Sequence, residues 1–271
     1  MHQLHIALRN SQITVDLKLK NKRVIVTGAS RGIGRYISSY FLQEGAKVAL
    51  VARNKSTLEQ LRKIFIEQYD ENNYLLIPCD VSDQRQFQEC VNQIVSIWEG
   101  VDILVANVGN GKSSAEPISN AETFNNIFET NFRSGEVAAR ELIPELTRSN
   151  GNIIFISSIA GQEAFGAPTD YSVAKAAIIA LSKNLARKLA PNIRVNCIAP
   201  GNVFFPGGSW DDKIQKEPER IQKLIESTVP MKRFGSPEEI ADLVLFLSSE
   251  RASFITGSCV VIDGGQTVGF H

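Results

Sequence analysis

Short, almost continuously apolar runs recur along this chain, separated by longer segments of helical period, and that alternation limits the fold more than any other feature. The runs are Val24–Thr27, Lys47–Val51, Tyr74–Ile77, Ile103–Ala106, Asn152–Ser157, Ile193–Ile198 and Cys259–Ile262. Strands with one face in water alternate apolar with polar residues; these do not, so both faces are expected to be covered. Helical period is found in Ile33–Glu44, Ser56–Tyr69, Gln84–Trp98, Ala121–Ser149, Tyr171–Ala190 and Pro237–Ser248. The last has a capping box, with Ser236 as N-cap, Pro237 at the first helical position and Glu239 three residues after the cap. Parallel neighbours cannot be joined by tight turns and need crossover helices. The pattern therefore predicts an α/β fold: a single doubly wound Rossmann-type domain, with a parallel seven-stranded sheet and helices on both faces.

No repeat or Pro/Ser-rich linker divides the chain, so residues 17–271 read as one domain. Residues 1–16 read as a poorly ordered N-terminal extension. Pro200–Val229 breaks the rhythm: it follows a strand but carries Phe204, Phe205, Pro206, Gly207, Gly208 and Trp210. In a doubly wound sheet, an insertion after the carboxyl end of a strand lies over the ligand crevice. Residues 202–229 are accordingly predicted to form a substrate lid.

Composition removes several function classes. The chain has 271 residues, 43% apolar against 21% charged, which excludes disorder as its main state. Lys plus Arg and Asp plus Glu both number 29, a net charge of zero that gives no basic field for nucleic acid. The three histidines, His2, His5 and His271, lie at the ends, so an interior histidine base or a histidine metal site is not expected. The four cysteines, Cys79, Cys90, Cys197 and Cys259, form no C-x-x-C pair and read as reduced thiols. No apolar run approaches the ~20 residues needed to span a bilayer, and the first residues lack the basic start and apolar core of a signal peptide. A soluble, cytoplasmic protein without membrane partners is expected.

After the first strand comes Thr27-Gly28-Ala29-Ser30-Arg31-Gly32-Ile33-Gly34. Gly28 permits a sharp turn, Gly32 lets the backbone approach a pyrophosphate, and Gly34 allows close packing of helix on strand. The following helix N-terminus offers N–H groups to phosphates. Alone, the triplet fits any tight strand-to-helix connection; at the head of a βαβ unit it points to a dinucleotide site including Ser30, Arg31 and Ile33. The next strand ends Val51-Ala52-Arg53-Asn54, with Arg53 where an NAD site usually offers a carboxylate. Arg31 and Arg53 suit a 2′-phosphate, which makes NADP(H) the preferred cofactor and NAD(H) the alternative. A near match to the NTPase phosphate loop, Ala106–Ser113, lacks the first glycine and is followed by a turn-rich stretch with Pro117 instead of a helix.

Tyr171-Ser172-Val173-Ala174-Lys175 places Tyr171 and Lys175 on one helix face, about 6 Å apart along the axis. An ammonium about 4 Å from a phenol contributes about 4 kcal/mol at an effective dielectric of about 20, or about 3 pK units before desolvation opposes it. Such a lysine is expected to bring Tyr171 into range for proton transfer near neutral pH.

Further motifs follow in one order: Cys79-Asp80-Val81, Asn107-Val108-Gly109, Asn131, Ser157-Ser158, Tyr171/Lys175, Pro200-Gly201, Arg233–Ile240 and Asp263-Gly264-Gly265. With them the chain resembles the short-chain dehydrogenase/reductase family from about Leu17 to Gly265. The resemblance implies that Tyr171 is the acid or base and that Lys175 binds the nicotinamide ribose and lowers the tyrosine pKa. It implies that Ser158 bonds the substrate oxygen, with Ser157 its structural neighbour, and that Asn131 holds a proton-relay water. Asp80 and Val81 would meet the adenine, Asn107 and Gly109 would support the cofactor, and Pro200, Gly201 and Val203 would line its nicotinamide end. The implied reaction interconverts a ketone and a secondary alcohol, as in 3-oxoacyl-carrier-protein reductases. A sugar, polyol or steroid-type NAD-dependent alcohol dehydrogenase is the alternative, and a dinucleotide-binding regulator is the reading outside enzymes. The substrate would be a small carbonyl or alcohol, no metal is implied, and the family is usually dimeric or tetrameric. Two residues depart from the family pattern: Val108 stands where alanine is common, and Phe205 lies near the place of a frequent threonine.

Overall fold

The protein is described here by a computed structural model covering residues 16–269 apart from 112, 113 and 115. The expectation for residues 1–15 thus lies outside the described residues, as do Lys112 and Ser113 of the near phosphate loop and the three histidines.

Strands β1 (Arg23–Thr27), β2 (Lys47–Ala52), β3 (Tyr74–Pro78), β4 (Ile103–Ala106), β5 (Asn152–Ile156), β6 (Arg194–Pro200) and β7 (Cys259–Ile262) form one sheet of order β3-β2-β1-β4-β5-β6-β7. Every pairing is parallel. The crossovers are α1 (Gly32–Gln43), α2 (Lys55–Phe65), α3 (Gln84–Trp98), α4 (Ala121–Phe128), α5 (Ser134–Ser149), α6 (Thr169–Leu189) and, before β7, α7 (Ser209–Lys216), α8 (Pro218–Thr228) and α9 (Pro237–Ser248).

Successive residues of each strand point to opposite faces, and each face has its own apolar core. Ile25, Leu104 and Phe155 pack with Phe87, Leu142 and Ile178 of α3, α5 and α6. Their neighbours Val24, Val26, Val105 and Ile154 pack on the other face with Ile37, Phe41, Phe65 and Val244 of α1, α2 and α9. This is why the runs read as continuously apolar. The capping box at α9 is present as expected.

Two segments differ from the sequence pattern. The helix expected over Ala121–Ser149 is interrupted by a π-helical turn at Glu129–Arg133. There Asn131 Nδ2 donates to Ile127 O at 3.0 Å and Ser134 Oγ to Thr130 O at 2.7 Å, side-chain bonds to main-chain carbonyls that leave the apolar periodicity undisturbed. Residues 202–229, which break the strand–helix rhythm in sequence, contain α7 and α8. Asp211 and Asp212 open α7 and Lys213 and Lys216 close it, while Pro218 starts α8, so the dipole and N1 signals were present behind the aromatic and glycine residues.

The strand order reverses between β1 and its neighbours β2 and β4. The crevice at the carboxyl ends of β1 and β4 is the place where such sheets bind ligands.

Candidate active site

The turn from β1 into α1 is built on glycine geometry. Gly28 and Gly32 have φ of +66° and +54°, where side chains are strained. A Cβ on Gly34 would lie 2.5 Å from both Gly28 O and Asn107 Nδ2, so only glycine lets α1 start this close to the strand. Asn107 closes the junction from β4: Nδ2 donates to Thr27 O at 3.1 Å and Gly28 O at 3.2 Å, and its N–H to Thr27 Oγ1 at 3.1 Å. Helix α1 starts at Gly32 without a side-chain cap, whereas Asn54 caps α2 and Asp83 caps α3. Its first N–H groups are left facing the crevice, the arrangement that suits an anion.

A cavity of about 560 Å³ runs along the carboxyl ends of the strands. At one end stand Arg53, Asp80 and Val81, at the middle Gly28, Ser30, Arg31, Gly32 and Ile33, and at the other end Ser158, Tyr171 and Lys175, with Trp210 of α7. Asn107, Gly109, Pro200, Gly201 and Val203 line it as well. Nearly all of the site residues expected from the sequence thus share one space. Gly34 and Asn131 lie behind its wall. The cavity also takes in Thr57 and Ser82, which no motif marked. Their signal was indirect, since each lies close to the N-cap residue of a helix that begins at the crevice, Asn54 and Asp83.

Arg53 reaches Asp80 at 3.9 Å, with its side chain 64% exposed, an ion pair too solvated to hold the guanidinium away from a ligand. Asp80 Oδ1 accepts from the backbone N–H of Ser82 at 3.0 Å and from its hydroxyl at 2.7 Å, which fixes the loop after β3.

At the opposite end, Tyr171 lies in the first turn of α6 and Lys175 one turn on. Lys175 Nζ donates to Ile156 O at 3.0 Å and stands 5.8 Å from the Tyr171 ring centroid. The Ser158 hydroxyl lies close enough to the Tyr171 phenol to act on its pKa. Ser157 Oγ donates to Lys175 O at 2.8 Å and pins α6 to β5. Asn131, 1% exposed in the π-helical turn, accepts from Asn110 N–H at 3.0 Å through Oδ1. A Cβ on Gly109 would lie 2.8 Å from Asn131 Oδ1 and 2.9 Å from Lys175 Nζ. Gly109 is therefore the point on which those two side chains converge.

The electrostatics correct one expectation. Burial raises the Tyr171 pKa above its ordinary value, with the nearby Ser158 hydroxyl opposing it. Burial also lowers Lys175 to about 8, against a smaller opposite effect from Cys197. Lys175 is not among the groups that act on the Tyr171 pKa, and burial sets its direction.

The family model described as enoyl-(acyl carrier protein) reductase matches residues 28–267. The chain belongs to the short-chain dehydrogenase/reductase family. It is an oxidoreductase of this family, whose members bind NAD(P)(H) and act on CH–OH groups. The dehydrogenase/reductase SDR family member 4 of Rattus norvegicus is 31% identical over 270 residues, covering 96% of this chain and 92% of that protein. The 3-oxoacyl-[acyl-carrier-protein] reductase FabG of Thermotoga maritima is 32% identical over 255 residues, covering 93% and 100%. Among solved structures, L-sorbose reductase from Gluconobacter frateurii, complexed with NADPH and L-sorbose, superposes with a TM-score of 0.87 at 32% identity, covering 94% of this chain and all of that one. No helix among the described residues is long and apolar enough to cross a membrane.

Proposed function

We propose that this protein interconverts a ketone and a secondary alcohol with NADP(H), with Tyr171 as the proton donor and acceptor. The observation that carries the reading is that the Tyr171 phenol and Ser158 line the same cavity as the glycine turn. The residues fit a dinucleotide: uncapped N–H groups and positive-φ glycines for the phosphates, and Lys175 and Asn107 further along. When bound, the nicotinamide supplies or takes the hydride at the substrate carbon.

Every other step belongs to side chains of this chain. Ser158 and Tyr171 hold the carbonyl oxygen between two hydroxyls, which positions the carbon and stabilises the charge that develops on oxygen. Tyr171 then gives its proton to that oxygen during reduction, or takes it during oxidation. A phenol whose pKa is raised by burial stays protonated at neutral pH and so is ready as the acid. Lys175 faces the same space and orients the cofactor ribose. Asn131 fixes the Gly109–Asn110 backbone beside the lysine and supports the path by which Tyr171 regains its proton.

NADP(H) is favoured over NAD(H) by Arg53 at the end of the cavity, where β2 ends without a carboxylate, and by Arg31 in the glycine turn beside it. The similarity to FabG supports a 3-oxoacyl thioester or a similar small carbonyl as substrate. The similarity to L-sorbose reductase supports a sugar-type second reading. The lid favours apolar or aromatic groups, since Phe204 and Trp210 both pack against Phe234 with tilted rings, at 6.1 and 5.3 Å between centroids. A cytoplasmic homodimer or homotetramer fits a chain with zero net charge whose edge strand β7 is apolar and only half buried.

Titration with NADPH and NADH, followed by a panel of 3-oxoacyl, sugar and steroid ketones read by nicotinamide absorbance, tests the reading. NADPH binding at least about tenfold tighter and turnover of one ketone class support it. Tighter NADH binding overturns the cofactor assignment, and binding without turnover across the panel favours a regulator.

A further inference from the structure

The glycine turn and the lid meet at Gly32. On the dinucleotide reading above, this residue has no side chain so that a pyrophosphate can come close. That clearance is taken by another residue. A Cβ on Gly32 would lie 2.7 Å from Cζ and 2.8 Å from Cε2 of Phe205. Two carbons at that separation overlap, so the ring already fills the volume in front of the glycine.

The ring's seat is built. A Cβ on Gly208 would also meet Cε2 at 2.8 Å and Cζ at 3.0 Å, so the same ring edge is wedged between two glycines. Phe205 is partly buried and packs on the apolar core on the α1–α9 side of the sheet, as Ile33 does. Its carbonyl accepts from Gly208 N–H at 3.1 Å in a turn with Gly207 at φ +73°, and α7 begins at the next residue, Ser209. The position of the ring is thereby coupled to the position of the lid helix.

We propose that Phe205 is a latch: in the conformation described it occupies the pyrophosphate approach to Gly32, and a dinucleotide seats only after it withdraws with the lid. The latch rests on the dinucleotide reading. It makes lid opening a gate on association and makes Phe205 a residue that sets cofactor affinity. The gate arises because a phosphoryl group approaching Gly32 from that side needs the volume the ring holds. Apparent affinity is then reduced by the fraction of molecules whose latch is closed.

The test mixes NADPH with the full chain in stopped flow, reading nucleotide fluorescence, for the wild type, Phe205→Ala and Phe205→Leu. Leucine keeps an apolar anchor for the lid while shortening the group over Gly32. Amide exchange of the unliganded proteins is measured in parallel, with α5 as a reference away from the lid. The wild-type rate is expected to level off as NADPH rises, because opening becomes limiting. Phe205→Ala is expected to give a rate linear in NADPH and a Kd lower by about tenfold, with Phe205→Leu between. Exchange in α7 is expected to quicken in Phe205→Ala while α5 is unchanged, which also shows that the variant is folded. Equal, linear association rates and equal Kd values in all three proteins overturn the latch and leave the dinucleotide reading standing. Failure of all three to bind NADPH or NADH, with α7 exchange still quickened, overturns the gate together with the dinucleotide reading.

Discussion

Replacing Lys175 with Met should make the unliganded protein more stable at neutral pH. Lys175 is 3% exposed and burial lowers its pKa from 10.5 to about 8. Because the folded value lies below the unfolded one, the unfolded chain binds more protons between those two pH values, and stability rises with pH across that window. Below pH 8 the cost of the buried ammonium is fully present. A shift of this size corresponds to about 3 kcal/mol. The variant loses the hydrogen bond from Nζ to Ile156 O, worth about 1 kcal/mol, while a methionine keeps most of the straight side chain in place. The net gain is therefore about 2 kcal/mol at pH 7, or roughly 4–8 °C in Tm for a chain of this size. Thermal unfolding of both proteins from pH 6 to pH 10.5 measures it. The variant should unfold at higher temperature below pH 8, and the difference should shrink toward pH 10.5 as the wild-type lysine loses its charge in both states. A variant less stable at pH 7, or a difference independent of pH, would refute the reasoning that burial dominates at this lysine. The same variant should be catalytically poor, a case of a site that holds a group at a cost in stability.

Arg53→Ala should raise the Kd for NADPH by about tenfold and leave that for NADH nearly unchanged, since the lost guanidinium would meet only the 2′-phosphate; titration of both nucleotides checks this. Gly34→Ala should destabilise the fold as well as abolish dinucleotide binding, because its Cβ would lie 2.5 Å from the Gly28 carbonyl and the backbone would have to shift; the loss should exceed about 2 kcal/mol by denaturant unfolding. Asp102→Ala should cost about 2 kcal/mol, since it strips Arg23 of two side-chain hydrogen bonds, at 2.7 and 2.8 Å, at the base of the sheet. Although burial works against it, the Arg23 hydrogen bonds hold the Asp102 carboxyl below its ordinary value. Wild-type stability should therefore fall as pH drops through the carboxylate range, by more than in the variant, in acid unfolding curves.

The fold was legible because each strand serves two cores. Val24 and Val26 face one and Ile25 the other, so no strand shows polar alternation and a sheet covered on both faces was the consistent solution. The cavity's lining was legible for a related reason: the crossovers bring the carboxyl ends of successive strands together, so motifs that follow strands end in one crevice. What the pattern hid are features made by side chains acting on backbone. The π-helical turn that buries Asn131 leaves the apolar spacing of Ala121–Ser149 intact. Helices α7 and α8 were masked by residues that serve turns and aromatic contacts. The spacing of Tyr171 and Lys175 was right, but spacing carries no information on solvation. Burial decides both pKa directions. Likewise the sequence marks Phe205 as a residue of the expected lid and a departure from the family pattern, and its place over Gly32 is visible only in three dimensions.

The central claim is that Tyr171 transfers the proton that accompanies hydride transfer. Single-turnover reduction of a ketone substrate by NADPH, with wild type and Tyr171→Phe at neutral pH, tests it most directly. Phenylalanine keeps the ring and removes only the hydroxyl. The rate of NADPH oxidation should fall by about 10²- to 10⁴-fold while the Kd for NADPH changes by less than about threefold. An unchanged single-turnover rate in Tyr171→Phe would contradict the mechanism.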